Sequence, residues 1–408
     1  MHNGTRPRTR HRPHPGAASG LDPGTPLALL GGLTPRAFMR RHWHKQPLLV
    51  RQALPGVAPP LPRAQLFELA ACEGVESRLV VHDPKGAWRL RHGPLPRRAL
   101  PPLQRPGWTL LVQGMDLHVP AAHEMLARFR FIPEARLDDL MCSYASDGGG
   151  VGPHLDSYDV FLIQVHGRRR WRIGSVADDA LVPGMPLKIL RHFEPEQEWL
   201  LEPGDMLYLP PRWGHDGVAE GECMTCSVGF RAPSAGELAR EVLLRVADMQ
   251  DDHPGPRYAD PAQPATATPA TMPEGLRRFA ARAVAAALAR PGALEQALGE
   301  VLTEPKPNVW FDTAEDEAAG SPRRWLPGHG VRLDARTRML VDTRHVFVNG
   351  ESWRAAGRDA RLLHALAQAR RLGAADVARL GESARGVLDD WLQAGWLHLA
   401  QPDDHDPR

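Results

Sequence analysis

Residues 148 to 174 read GGGVGPHLDSYDVFLIQVHGRRRWRIG, and this stretch decides the fold. Its glycines (148, 149, 150 and 152) and Pro153 exclude a helix and favour a close-fitting loop. An apolar run, 160 to 165, follows and stops at Gly167. The chain resumes as Arg168-Arg169-Arg170-Trp171-Arg172-Ile173, the period-two text of a strand. His154 and Asp156 stand two apart in extended chain, so both side chains leave on one face. An imidazole and a carboxylate so placed supply two ligands for a divalent transition metal, and a third must come from elsewhere.

The candidate for the third is His215, in PGDMLYLPPRWGHDGV (203 to 218). There a Pro-Gly-Asp turn enters an apolar strand and a loop delivers the histidine. Two histidines and one carboxylate on one octahedral face leave three positions open, an arrangement suited to non-haem iron(II) holding a co-substrate and dioxygen. An isolated His-x-Asp is common by chance and most examples lie on surfaces. The glycine-rich loop, the apolar strand and the downstream PGD…His together favour ligands here.

By alternation Arg168, Arg170 and Arg172 share one face of their strand, while Arg169 lies with Trp171 and Ile173 on the apolar one. A guanidinium on that face is costly unless an anion pairs with it. An internal salt bridge would serve, but the distal carboxylate of 2-oxoglutarate is a suited bidentate partner. Ser143, on the strand before the ligands, is placed to donate a hydroxyl to the same carboxylate.

Outward from this core, residues 76 to 232 carry short runs between Gly and Pro clusters: SRLVVH, WTLLVQG, DVFLIQV, RWRIGS, DMLYLPP and CMTCSVGF. Their spacing predicts a sandwich or barrel. Upstream, Thr34-Pro35 predicts a helix N-terminus. At Ser234 the period switches: Ser234 with Glu237 forms a capping box, and Leu238, Val242, Val246 and Met249 follow at helical spacing. A Pro/Ala/Thr linker covers 254 to 272, and helical text resumes to about 303. The last segment holds HVFVNGESW, a hairpin around Asn349-Gly350, then three short helical patterns and WLHLA, a closing strand. That order suggests a winged helix. The third of those helices carries Asp389-Asp390, which would oppose phosphates.

Composition sets the outer bounds. Fifty Lys and Arg against 48 Asp and Glu give no global field for a nucleic-acid partner. No membrane span is expected, and residues 1 to 25 read as a disordered basic tail rather than a secretory signal. Four scattered cysteines exclude a disulfide framework. Cys72 and Cys142 read as core residues. Cys223 and Cys226 fall three apart on a strand, hence on opposite faces, and a reduced cytoplasm fits.

At these residues the chain resembles the JmjC-type ribosomal oxygenases, and within them the bacterial ribosomal protein arginine hydroxylases. The match comprises PHLDSYDVFLIQVHGRRRWRIG, PGDMLYLPPRWGHDGVA and SVGFRAPS, and upstream FMRRHWHKQPLLVR (38 to 51) and SRLVVHDPKGAWRLRHGP (77 to 94). The resemblance implies a double-stranded β-helix (cupin/JmjC) core over 26 to 233, a helical dimerisation region over 234 to 303 and a winged-helix-like domain over 304 to 408. It implies His154, Asp156 and His215 as iron ligands, Arg169 as the 2-oxoglutarate anchor with Ser143 assisting, and O2 as co-substrate. It further implies hydroxylation of an arginine β-carbon in a large-subunit ribosomal protein, with Asp147 against the substrate guanidinium and His166 as a substrate contact. Three rivals remain: a histidyl hydroxylase with the same iron site, a cupin-sensor transcription regulator, and a metal-dependent cupin that needs no 2-oxoglutarate. Arg169 argues against the last two.

Overall fold

The computed structural model describes residues 22 to 83, 86 to 250, 254 to 313 and 324 to 400. The basic tail therefore lies almost wholly outside the described residues. Helix α1 (Pro35–Arg41) begins as the sequence predicts, with the Thr34 hydroxyl accepting from Ala37 N. The chain then adds β1 (Leu48–Val50), α2 (Arg63–Leu69), β2 (Ser77–His82), β3 (Trp88–His92), β4 (Trp108–Val112), α3 (Pro120–Ala127), β5 (Leu137–Ala145), β6 (Val160–Ser175), β7 (Gln197–Leu201), β8 (Met206–Leu209) and β9 (Trp213–Phe230). These strands form one sheet, in the order β1-β8-β6-β9-β5-β4-β2-β3, with β7 also on β6.

The sheet curls because β6 and β9 are long and antiparallel along their whole length, with bulges on both sides of His166. Inside the first half of β6 every residue from 160 to 165 is buried. Past Gly167 burial alternates, Arg169, Trp171 and Ile173 inward, as the period-two text predicts. The Pro-Gly-Asp turn sets the height of β8. Gly204 takes the left-handed conformation, and the Asp205 carboxylate accepts from Gln52 N, Glu202 N and Arg51. The main core packs aromatics from distant segments, Phe38 against Phe161 and Tyr208, and Trp43 against Phe230.

Three helices follow: α4 (Ala235–Asp248) with its Ser234/Glu237 capping box, α5 (Glu274–Ala289) and α6 (Ala293–Thr303). The chain between α4 and α5 forms no helix or strand over 254 to 273. Contacts divide the molecule into two compact units, 23 to 310 with 347 to 352, and 311 to 346 with 353 onward. The helices and the segment to Trp310 thus group with the barrel. The second unit holds β10 (Gly330–Leu333), β14 (Arg371–Leu372) and β15 (Leu397–Ala400) as one sheet, with α7 (Gly357–Ala369), α8 (Ala374–Val377) and α9 (Glu382–Gln393). Another small sheet, β11 (Met339–Val341), β12 (His345–Val348) and β13 (Glu351–Arg354), contains the expected hairpin. Asn349 and Gly350 both have positive φ, as a primed turn requires.

One expectation fails. Cys72 is exposed, because it sits in the turn just beyond α2, where its Sγ reaches the Glu68 carbonyl. Cys142, Cys223 and Cys226 are buried. Cys226 lies in the main core and Cys223 beside Ala145 and Ala219 on the other face.

Candidate metal centre

His154 and Asp156 lie on the loop entering β6, and His215 on the start of β9. His154 and His215 exchange both backbone hydrogen bonds, 3.0 and 2.9 Å. That bridge sets His154 directly opposite His215. Their rings stand 4.1 Å apart, His215 Nε2 lies 3.6 Å from Asp156 Oδ2, and ligand atoms of all three residues fall within 4.8 Å of one another.

Both imidazoles are oriented by the backbone. The Nδ1–H of His154 donates to the Gly152 carbonyl at 2.9 Å, and the Nδ1–H of His215 to the Trp213 carbonyl at 3.2 Å. With Nδ1 carrying the proton, each Nε2 keeps its lone pair. Gly152 has φ +78, so the carbonyl that fixes His154 depends on a glycine conformation. Burial, then the neighbouring His154, hold the His215 pKa down to about 4, so its ring is neutral at ordinary pH.

Arg169 is 3 % exposed and burial pulls its pKa down. Its Nη1 donates to Ser143 Oγ at 3.3 Å and its Nη2 to the Gly217 carbonyl at 3.1 Å, while Nε has no partner. Among the described residues no carboxylate lies within 4 Å of this guanidinium. A buried cation without a counter-ion costs several kcal/mol, about what a dicarboxylate would offset. Ser143, Thr225, Arg169 and Trp171 line one cavity of about 430 Å³ with the three candidate ligands. The donor set and the orphaned guanidinium therefore fit iron(II) and 2-oxoglutarate.

Two residues that the sequence reading did not single out hold Arg169 in place. The guanidinium lies over the Trp171 ring at 5.0 Å, and Trp171 in turn stands 5.8 Å from the His215 ring. Gly217 faces both: a Cβ there would come within 2.6 Å of the Trp171 ring and 2.8 Å of Arg169 Nε. Alternation along the strand put Trp171 on the Arg169 face, but the Gly217 contact depends on the register of β9 against β6.

Asp147 and His166 are not among the residues lining the cavity. Asp147 is exposed, and its carboxylate accepts from Gly221 N at 2.7 Å. His166 is also exposed, with Nε2 3.9 Å from Glu222 Oε1. The two thus converge on the Gly221–Glu222 turn of β9.

A JmjC-domain family profile matches residues 124 to 238, and a ROXA-like winged-helix profile matches 286 to 398. The crystal structure of ycfD from Escherichia coli superposes with a TM-score of 0.76 at 32% identity, covering 90% of this chain and 98% of that one. The chain belongs to the JmjC ribosomal oxygenases. The E. coli ribosomal oxygenase solved with cobalt and 2-oxoglutarate matches at TM-score 0.72 and 31% identity, over the same 90% and 98%. The ribosomal protein uL16 3-hydroxylase of E. coli strain K12 is 41% identical over 239 residues, 58% of this oxygenase and 62% of that protein. That sequence alignment thus spans less than two thirds of the curated relative.

Proposed function

We propose that this oxygenase is an iron(II)- and 2-oxoglutarate-dependent hydroxylase of an arginine side chain in the large-subunit ribosomal protein uL16. Arg169 carries the reading: a fully buried guanidinium without a counter-ion, in the same cavity as a 2-His-1-carboxylate face. The relative named uL16 3-hydroxylase supplies the substrate, and the solved complex with cobalt and 2-oxoglutarate supports the co-substrate.

Iron(II) with 2-oxoglutarate and O2, when bound, supplies insertion of one oxygen atom into a C–H bond with release of succinate and carbon dioxide. His154, Asp156 and His215 would hold the metal. Arg169 and Ser143 would hold the distal carboxylate, and Trp171 would close the wall between carboxylate and metal against water. Asp147 and His166 are assigned to the substrate; both sit at the Gly221–Glu222 turn, where a bound polypeptide would meet them outside the cavity.

The helices support a homodimer. Helix α5 buries none of its residues, and Leu243, Leu244, Leu276, Val284 and Leu294 are exposed on α4, α5 and α6. No helix among the described residues is long and apolar enough to cross a membrane. A ribosomal-protein substrate makes the cytoplasm the compartment in which the enzyme would meet it.

The test is incubation of iron-loaded protein with 2-oxoglutarate, oxygen and uL16, with peptide mass spectrometry to locate added oxygen. A single oxygenated arginine, lost in His154→Ala, is expected. Oxygen on a histidine would transfer the reading to histidyl hydroxylation, and iron-loaded protein that releases no succinate would overturn it.

A further inference from the structure

The cavity has a second arginine in the position Arg169 occupies at the first: lining it, and without an anion. Along β5, inward-facing Ser143 meets Arg169, and two residues away Met141 meets Arg78. The Nη2 of Arg78 donates to Gln113 Oε1 at 3.1 Å and stands 4.0 Å from Met141 Sδ, both neutral partners. His92 and Lys188, both exposed, line the same cavity. Among the described residues none of the three has a carboxylate within 4 Å.

Acids do occur at this end, but they are already engaged. Lys306 Nζ lies 3.0 Å from Asp138 Oδ1 and 3.5 Å from Asp139 Oδ2, and Arg231 Nε lies 3.5 Å from Asp138 Oδ1. The Asp139 carboxylate also accepts from Gln113 Nε2 and Gly114 N. Asp138 and Asp139 thus line the cavity with cations already on them, whereas Arg78, Lys188 and His92 line it without a carboxylate partner among the described residues, the Tyr158 phenol beside them.

We propose that Arg78, with Lys188 and His92 at the rim, forms a carboxylate-binding subsite that reads an acidic side chain of the protein substrate near its target residue. This rests on the protein-hydroxylase reading above and adds to it a rule of substrate choice. Ribosomal proteins are basic as a class, so an acid at one fixed distance from the target would be a discriminating mark. A half-buried guanidinium gains most from such an ion, because its neutral partners do not compensate its charge. The Arg78 guanidinium meets Gln113 and Met141, whereas that of Arg169 meets Ser143 and Gly217, so the two share no partner.

The experiment is a double-mutant cycle on the full-length protein. Labelled uL16 fragments, each with one Asp or Glu changed to its amide, are bound to Co(II)- and 2-oxoglutarate-loaded wild type, Arg78→Met and Arg78→Lys. Fluorescence anisotropy reads the fragment, and calorimetry reads 2-oxoglutarate. Arg78→Met is expected to weaken the fragment about tenfold, with Arg78→Lys recovering part of the loss and 2-oxoglutarate affinity unchanged. One acid-to-amide change should cost the same factor in wild type and nothing further in Arg78→Met. Wild type indifferent to every acid-to-amide change would overturn the proposal. So would an Arg78→Met loss that falls on 2-oxoglutarate, or a short RNA that competes with the fragment for Arg78. Iron-loaded wild type that turns over no uL16 would instead sink the hydroxylase reading, and the two failures are told apart by succinate release.

Discussion

Around the cavity, the barrel leaves charge without a partner; in the three helices after it, hydrocarbon is what lacks cover. Arg169 is buried at 3 % exposure with hydroxyl and carbonyl partners only, inside a core where every apolar residue of β6 is packed. Helices α4 to α6 show the reverse. Helix α4 opens on a capping box at Ser234 and its Arg245 engages Glu300 and Glu304, yet Leu244 and Val284 stand 51% and 60% exposed. What a chain leaves unsatisfied indicates what binds it. An unpaired buried cation calls for a small anion, and an unburied apolar stripe calls for another protein surface.

The sharpest way to break this contrast is Arg169→Met, which keeps an unbranched apolar stem and removes the charge. Calorimetry on Co(II)-loaded protein should show 2-oxoglutarate affinity lower by about a hundredfold. The ligand-free variant should melt at or above the wild-type temperature, because the change removes a buried charge that has no counter-ion. A ligand-free variant that melts well below wild type would mean that Arg169 serves the fold, and the distinction between the two regions would collapse.

On the helical side the matching change adds charge where hydrocarbon is exposed. Leu244→Glu with Val284→Glu should shift the mass seen by light scattering from two chains to one, while 2-oxoglutarate binding stays within about twofold. A monomeric wild type would remove the need for a partner there and leave the stripe unexplained.

How much of this was legible beforehand follows from the range of the interactions involved. The alternation in RRRWRI placed Arg169 inward, and His154 and Asp156 shared a face, because strand geometry is local. The Thr34 cap, the Ser234 capping box and the Asn349-Gly350 turn were readable for the same reason. Gly217 was not, since its role depends on the register that sets Trp171 opposite it. Arg78 was equally silent: in SRLVVH it looks like a strand's solvent-facing residue, and only the curl of the sheet brings it into the cavity of His154. Cys72 misled because apolar neighbours in sequence say nothing about which side of a helix end a residue takes.

The smallest effect expected concerns a third kind of unfinished group, Asp116, which is 5% exposed and accepts from Leu140 N at 2.8 Å. Burial, opposed by that hydrogen bond and reinforced by nearby Asp139, pushes its pKa up to about 7 from an ordinary 3.8. The native state therefore keeps a proton that the unfolded chain releases. Its contribution to stability is full below the unfolded value, near pH 4, and is lost as pH rises through 7. Asp116→Asn retains an oxygen for Leu140 N–H but has no proton to lose. The melting temperature of the variant relative to wild type should rise by a few degrees between pH 5 and 8 and level off above that. An offset that stays constant across this range would show that Asp116 is ionised in the folded protein, held by Lys306, and that the barrel tolerates buried acids as well as it does the unpaired Arg169.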